Sequence, residues 1–121
     1  MNRIAAVVLS CLAITPCARA VRELVVLEEP QPAQRVQGIV VDVSGAPIPG
    51  MTVTDCTNQW AKALRSAKTD AEGRFHFSRL LGKSLYYLRF DHPGFNPLEL
   101  QLKLDKHSAN QSIRVCAPIG G

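Results

Sequence analysis

The chain has 121 residues, a formal net charge of +4, 46% hydrophobic residues and 20% charged ones. That length leaves room for one domain and little else. The charge is modest and the basic residues are spread along the chain, which argues against nucleic acid and against an anionic membrane surface as partners.

Residues 1–20 read as an export signal. Arg3 supplies the positive start, Ile4 to Ile14 is apolar apart from Ser10 and Cys11, Pro16 ends the run, and Ala18-Arg19-Ala20 places small residues where signal peptidase reads them. The run is shorter than the roughly twenty residues a membrane anchor needs, and no second one follows, so no transmembrane segment is expected. Cleavage after Ala20 would give an exported chain, periplasmic or secreted. A lipid on Cys17 is the alternative, but Pro16 stands where that processing wants a small residue. Cleavage removes Arg3 and Arg19, which lowers the net charge from +4 to +2, and leaves Cys56 and Cys116 as the cysteines of the mature chain. Two cysteines in an oxidising compartment suggest a disulfide, worth roughly 4 kcal/mol for a loop of that size. Two buried thiols that never meet are the other reading.

Val21 to Arg35 reads as a lead-in. Val21 to Leu27 fits a strand or a helical turn, and Glu28 to Gln34, with Pro30 and Pro32, fits a stiff solvated linker. The domain proper is expected over 36–117, with 118–121 as a tail. Val36 to Val43 is β-branched and bounded by turn formers, hence a strand. Ser44 to Gly50 is a proline- and glycine-rich turn. Met51 to Cys56 alternates strictly, with Met51, Val53 and Asp55 on one face and Thr52, Thr54 and Cys56 on the other. Thr57 to Thr69 is ambiguous. Trp60, Ala63, Leu64 and Ala67 have helical spacing, but the surrounding pattern favours a strand over Ala63 to Thr69.

Thr69 to Gly73 reads as a tight turn built on Asp70 and Gly73. Arg74 to Ser78 then sends Phe75 and Phe77 to one face and His76 to solvent. Ser84 to Phe90 puts Tyr86, Leu88 and Phe90 on one face. Leu98, Leu100, Leu102 and Leu104 alternate with Glu99, Gln101 and Lys103, and Ser112 to Cys116 closes the domain. About seven short strands at regular intervals predict an all-β sandwich or barrel with mostly antiparallel pairing.

Three segments carry a family resemblance: Gly38 to Asp42, then Gly45-Ala46-Pro47-Ile48-Pro49-Gly50-Met51-Thr52-Val53, then Thr69-Asp70-Ala71-Glu72-Gly73-Arg74-Phe75-His76-Phe77. With Tyr87 to Phe90 and Pro93-Gly94-Phe95, their order and spacing resemble the carboxypeptidase regulatory-like domain, over about Val36 to Val115. The resemblance implies a transthyretin-like (prealbumin-like), seven-stranded Greek-key antiparallel β-sandwich. It also implies an accessory module that seldom carries chemistry. Such modules sit behind metallocarboxypeptidase domains, at the front of outer-membrane receptors and in adhesin-like proteins. Here no such neighbour is in the chain.

Candidate chemistry is sparse. Asp70 and Glu72 could offer oxygens to calcium, but the turn lacks further acidic ligands. His76, His92 and His107 have no ligand spacing to one another or to a cysteine. No serine lies in a nucleophile elbow. One transthyretin-like branch hydrolyses hydroxyisourate and ends in Tyr-Arg-Gly-Ser, whereas this chain ends in Pro118-Ile119-Gly120-Gly121. No enzyme activity, catalytic residue, metal site or cofactor is therefore expected. Trp60 and Tyr87 are the ligand candidates, as an aromatic platform for a sugar. The expected role is an exported structural or protein-interaction module at the cell envelope, with an unknown protein partner. A carbohydrate-binding module is the alternative. Asn110-Gln111-Ser112 matches a glycosylation acceptor, relevant only in a eukaryotic secretory pathway.

Overall fold

The computed structural model describes residues 24–118. The expected export signal and residues 119–121 lie outside the described residues. Nine strands and one short 3-10 turn make up the described chain: β1 Val25–Val26, β2 Gln31–Ala33, β3 Gln37–Val41, β4 Thr52–Cys56, the 3-10 turn Asn58–Trp60, β5 Ala63–Lys68, β6 Arg74–His76, β7 Leu85–Asp91, β8 Leu98–Leu104 and β9 Ile113–Cys116. They form two sheets. The larger runs β1-β8-β7-β4-β5, with β2 also on β8, and the smaller runs β6-β3-β9.

The alternation read from the sequence builds the space between them. In β8, Leu98, Leu100 and Leu102 are buried in the core, while Gln101 and Lys103 are wetter. Register lays these leucines against Phe90, Leu88 and Tyr86 of β7, and Phe90 against Val53 of β4. From the smaller sheet, Phe75 reaches across to Phe90, with ring centres 5.4 Å apart in a T-shaped contact. Burying a phenylalanine contributes about 1.5–3 kcal/mol. Phe75 fits because Gly38 stands opposite it. A Cβ at Gly38 would lie 2.8 Å from the Phe75 ring and 2.6 Å from the Ile113 carbonyl oxygen.

Two turns fix the strands at one pole. Thr69 is buried, its hydroxyl donating to the Ile48 carbonyl at 2.6 Å and accepting the Met51 N–H at 2.8 Å. This ties the proline-rich 42–51 connection to the end of β5. Next to it, Asp70 Oδ1 accepts the N–H groups of Glu72 and Arg74, each at 2.9 Å. Gly73, at φ 76°, then turns the chain into β6. Its missing side chain also lets the backbone come against Val40, whose carbonyl oxygen would be 2.6 Å from a Cβ.

Two expectations are corrected. The strand count is nine among the described residues, rather than seven, and the pairing is less uniformly antiparallel. β1 and β2 pair parallel to β8, and β9 pairs parallel to β3. β1 takes the strand reading of Val21 to Leu27, whereas β2 falls in the stretch Glu28 to Gln34 expected as a solvated linker; both lie along one edge of β8. Pro32, opposite Lys103, is tolerated there because an edge strand does not need every N–H. The strand expected over Ala63–Thr69 is present as β5, preceded by only one 3-10 turn where helical spacing had competed.

Candidate functional site

Three of the residues singled out by sequence, Cys56, Trp60 and Tyr87, meet on the outer face of the larger sheet, whereas Cys116 lies on β9 of the smaller one. At the end of β4 the pairing with β5 shifts register between Asp55 and Cys56. The chain then folds back through Asn58–Trp60, with Gln59 and Trp60 both in the left-handed region at φ 60° and 55°. Such backbone costs of order 1–3 kcal/mol per residue and persists where surrounding contacts hold it. The contacts here are specific. Trp60 Nε1 donates to the Leu88 carbonyl at 3.1 Å, and its ring meets Tyr87 edge-on at 5.0 Å and 90°. Arg89 donates to the Trp60 carbonyl at 3.0 Å and grips Glu99 at 2.7 Å.

Trp60 and Tyr87 are therefore brought together, as a platform reading requires. They do not present two coplanar faces, however, because the rings are perpendicular and Tyr87 is buried. Together they form a lid over the sheet, with Cys56 buried in register with Tyr87. Burial pushes the Cys56 thiol above its ordinary value, outweighing the opposing pull of the Arg89 charge.

Cys56 and Cys116 form no disulfide, which corrects that expectation. β4 belongs to the larger sheet and β9 to the smaller. Each cysteine follows a residue buried on the inner side, Asp55 and Val115, so by alternation both side chains point away from the interior, on opposite faces of the sandwich. Packed sheets lie about 10 Å apart, whereas a disulfide needs Cα atoms within about 7 Å.

The histidines are dispersed. His76 ends β6 and is exposed, His107 is exposed in the β8–β9 connection, and His92 sits in the β7–β8 connection with Nδ1 2.8 Å from the Pro93 carbonyl oxygen. Asp70 spends its carboxylate on its own turn. Among the described residues no group of three or more His, Cys, Asp or Glu side chains is placed to hold a metal, and no helix is long and apolar enough to cross a membrane.

Two features escaped sequence reasoning. The first is Asp55, wholly buried, which accepts from Arg65 Nε at 2.8 Å and faces Lys83 Nζ at 3.7 Å through an oxygen that has no hydrogen bond. Its place on the Met51–Val53 face was the available signal. The second is an open groove of about 590 Å³ across β3 and β6, reaching Ala67 and Lys68 of β5 and containing Ile39, Arg74 and His76. The sequence could not show it, since it joins strands distant along the chain.

The model of the family described as carboxypeptidase regulatory-like domain matches residues 35–115. No curated protein matches the chain. Among solved structures, catechol 1,2-dioxygenase from Pseudomonas arvilla C-1 is similar at 16% identity and a TM-score of 0.45, over 91% of this chain and 59% of that one. The chain thus spans less than two thirds of that protein, and the similarity is too low to bear on function.

Proposed function

Because this chain belongs to the carboxypeptidase regulatory-like domain family, a family of non-catalytic Ig-like modules, we propose that it is an exported module holding a protein partner at the cell envelope. The observation that supports this reading is the border formed by β5. It closes the larger sheet with β4 as its one neighbour, and most of its residues are exposed. An unpaired strand edge is a template for a partner's extended segment. The groove beside it offers Ile39 for an apolar side chain and Lys68 and Arg74 for an acidic one. Export rests on the charged, apolar and small-residue pattern of residues 1–20.

A photocrosslinking residue placed at Ser66 on β5, compared with one at His92 in the far connection, tests the proposal in cells. A discrete adduct from position 66, absent from position 92, with the chain recovered outside the cytoplasm, is expected. Retention in the cytoplasm, or no adduct from position 66, would sink it.

A further inference from the structure

Strand directions sort the connections into two poles. Segments 34–36, 57–62, 77–84 and 105–112 meet at one pole, and 42–51, 69–73 and 92–97 at the other. The first group carries Arg35, Lys62, Arg79, Lys83 and Lys106 against one acid, Asp105. The second carries Asp42, Asp70 and Glu72 and no lysine or arginine. Five basic residues that look scattered in sequence therefore share one pole, while Arg114 reaches the other beside Gly45, and that local excess gives an anionic surface something to meet.

The cationic pole also has an apolar tip. Between β6 and β7 the Lys83 N–H closes on the Leu80 carbonyl at 3.1 Å, with Gly82 at φ 75° in the third position of the turn. Leu81 occupies the outermost corner and is fully exposed, and Leu80 beside it is exposed too. Turn corners are ordinarily polar or glycine. The tip is also braced. The Leu80 N–H donates to the Tyr86 hydroxyl at 2.9 Å, Arg65 donates to the Ser78 carbonyl at 2.7 Å, and Lys83 is drawn toward buried Asp55. A preorganised pair of leucines costs little ordering entropy on insertion.

We propose that this pole docks on an anionic lipid bilayer, with Leu80 and Leu81 entering the interface and the surrounding cations facing lipid phosphates. Leucine next to arginine and lysine suits a surface that is apolar below and negatively charged above. The proposal is independent of the β5 edge, so either reading can fail alone.

The test is flotation of the full chain with phosphatidylcholine vesicles, with and without about 30 mol% phosphatidylglycerol, at low salt. Each cation near such a surface is worth roughly fivefold in binding. Wild-type chain is expected to bind the anionic vesicles about tenfold or more tightly than the neutral ones. Arg79→Glu with Lys106→Glu should remove that preference, and Leu80→Ser with Leu81→Ser should weaken binding to both vesicle types. Asp70→Lys with Glu72→Lys at the far pole should not weaken it. In Leu81→Trp, the added emission should shift to the blue on anionic vesicles. Absent binding, or equal binding by wild type and both pole variants, as would follow if residues 4–14 were responsible, overturns the proposal. So does concentration-dependent self-association lost equally in the Arg79/Lys106 and Asp70/Glu72 variants, which would show the two poles pairing with each other.

Discussion

Asp55 and Arg65 face each other in register on β4 and β5, and the carboxylate of Asp55 is wholly buried while its partner reaches water. Arg65 also lies over the Phe77 ring at 4.9 Å, so one side chain closes the sandwich and neutralises a charge inside it. Removing one member of such a pair strands the other. Arg65→Ala should therefore destabilise the fold by about 3 kcal/mol, at the lower end of the range for broken buried pairs because Lys83 is near. Replacing both, as Asp55→Leu with Arg65→Met, should recover most of the loss. Urea unfolding of the three proteins measures this, and a double variant as weak as the single one would contradict it.

Gly38→Ala should cost about 2 kcal/mol or more, because the new methyl group overlaps the Ile113 carbonyl and the Phe75 ring. Gly82→Ala is the informative contrast. Its Cβ meets nothing within 4 Å, so its cost is limited to the backbone strain at φ 75°, about 1–2 kcal/mol. Thermal melts of the two variants should rank Gly38→Ala lower.

The cysteines should behave as separate thiols. Peptide-resolved mass spectrometry without reduction should find no Cys56–Cys116 linkage, and an alkylating reagent should modify half-exposed Cys116 about tenfold or more faster than buried Cys56. A pH effect accompanies this. The folded state holds the Cys56 proton to higher pH than the unfolded chain does. Its favourable contribution is thus complete below the ordinary thiol value and is lost as pH rises toward the raised one. Cys56→Ala should flatten the alkaline fall in the unfolding midpoint.

Asp42 should titrate below the ordinary carboxyl range. The Ser44 hydroxyl donates to its Oδ1 at 2.7 Å, and the N–H groups of Ser44 and Ala46 add to that. Its contribution is present above the ordinary aspartate value and lost as pH falls through the lowered one. A carbon-13 titration should place Asp42 below the ordinary aspartate value, and Ser44→Ala should bring it back up.

Much of the sandwich was legible because its strands alternate. Leu98 to Leu102 and Tyr86 to Phe90 name their buried faces directly, and Phe75 and Phe77 enter the core as their spacing requires. Of the edge strands, β1 was legible as one of two readings of Val21 to Leu27, and β2 was not legible. They have two and three residues and include Pro32, and what makes them strands is β8, some seventy residues away, rather than their own pattern. The Trp60–Tyr87 contact was legible as a pairing but not as a perpendicular one. That geometry depends on left-handed backbone at Gln59 and Trp60, which neither residue type announces. The leucine tip was visible only as apolar letters before Gly82, because exposure is decided by the turn they form.

The first strand begins and the last one finishes at the acidic pole. Val25 and Pro118 are both tied there to the same connection, through the Pro97 carbonyl and the Asn96 N–H. The two margins of the described chain thus sit side by side across the sandwich from Leu81, and neither of them crowds the leucine-bearing corner.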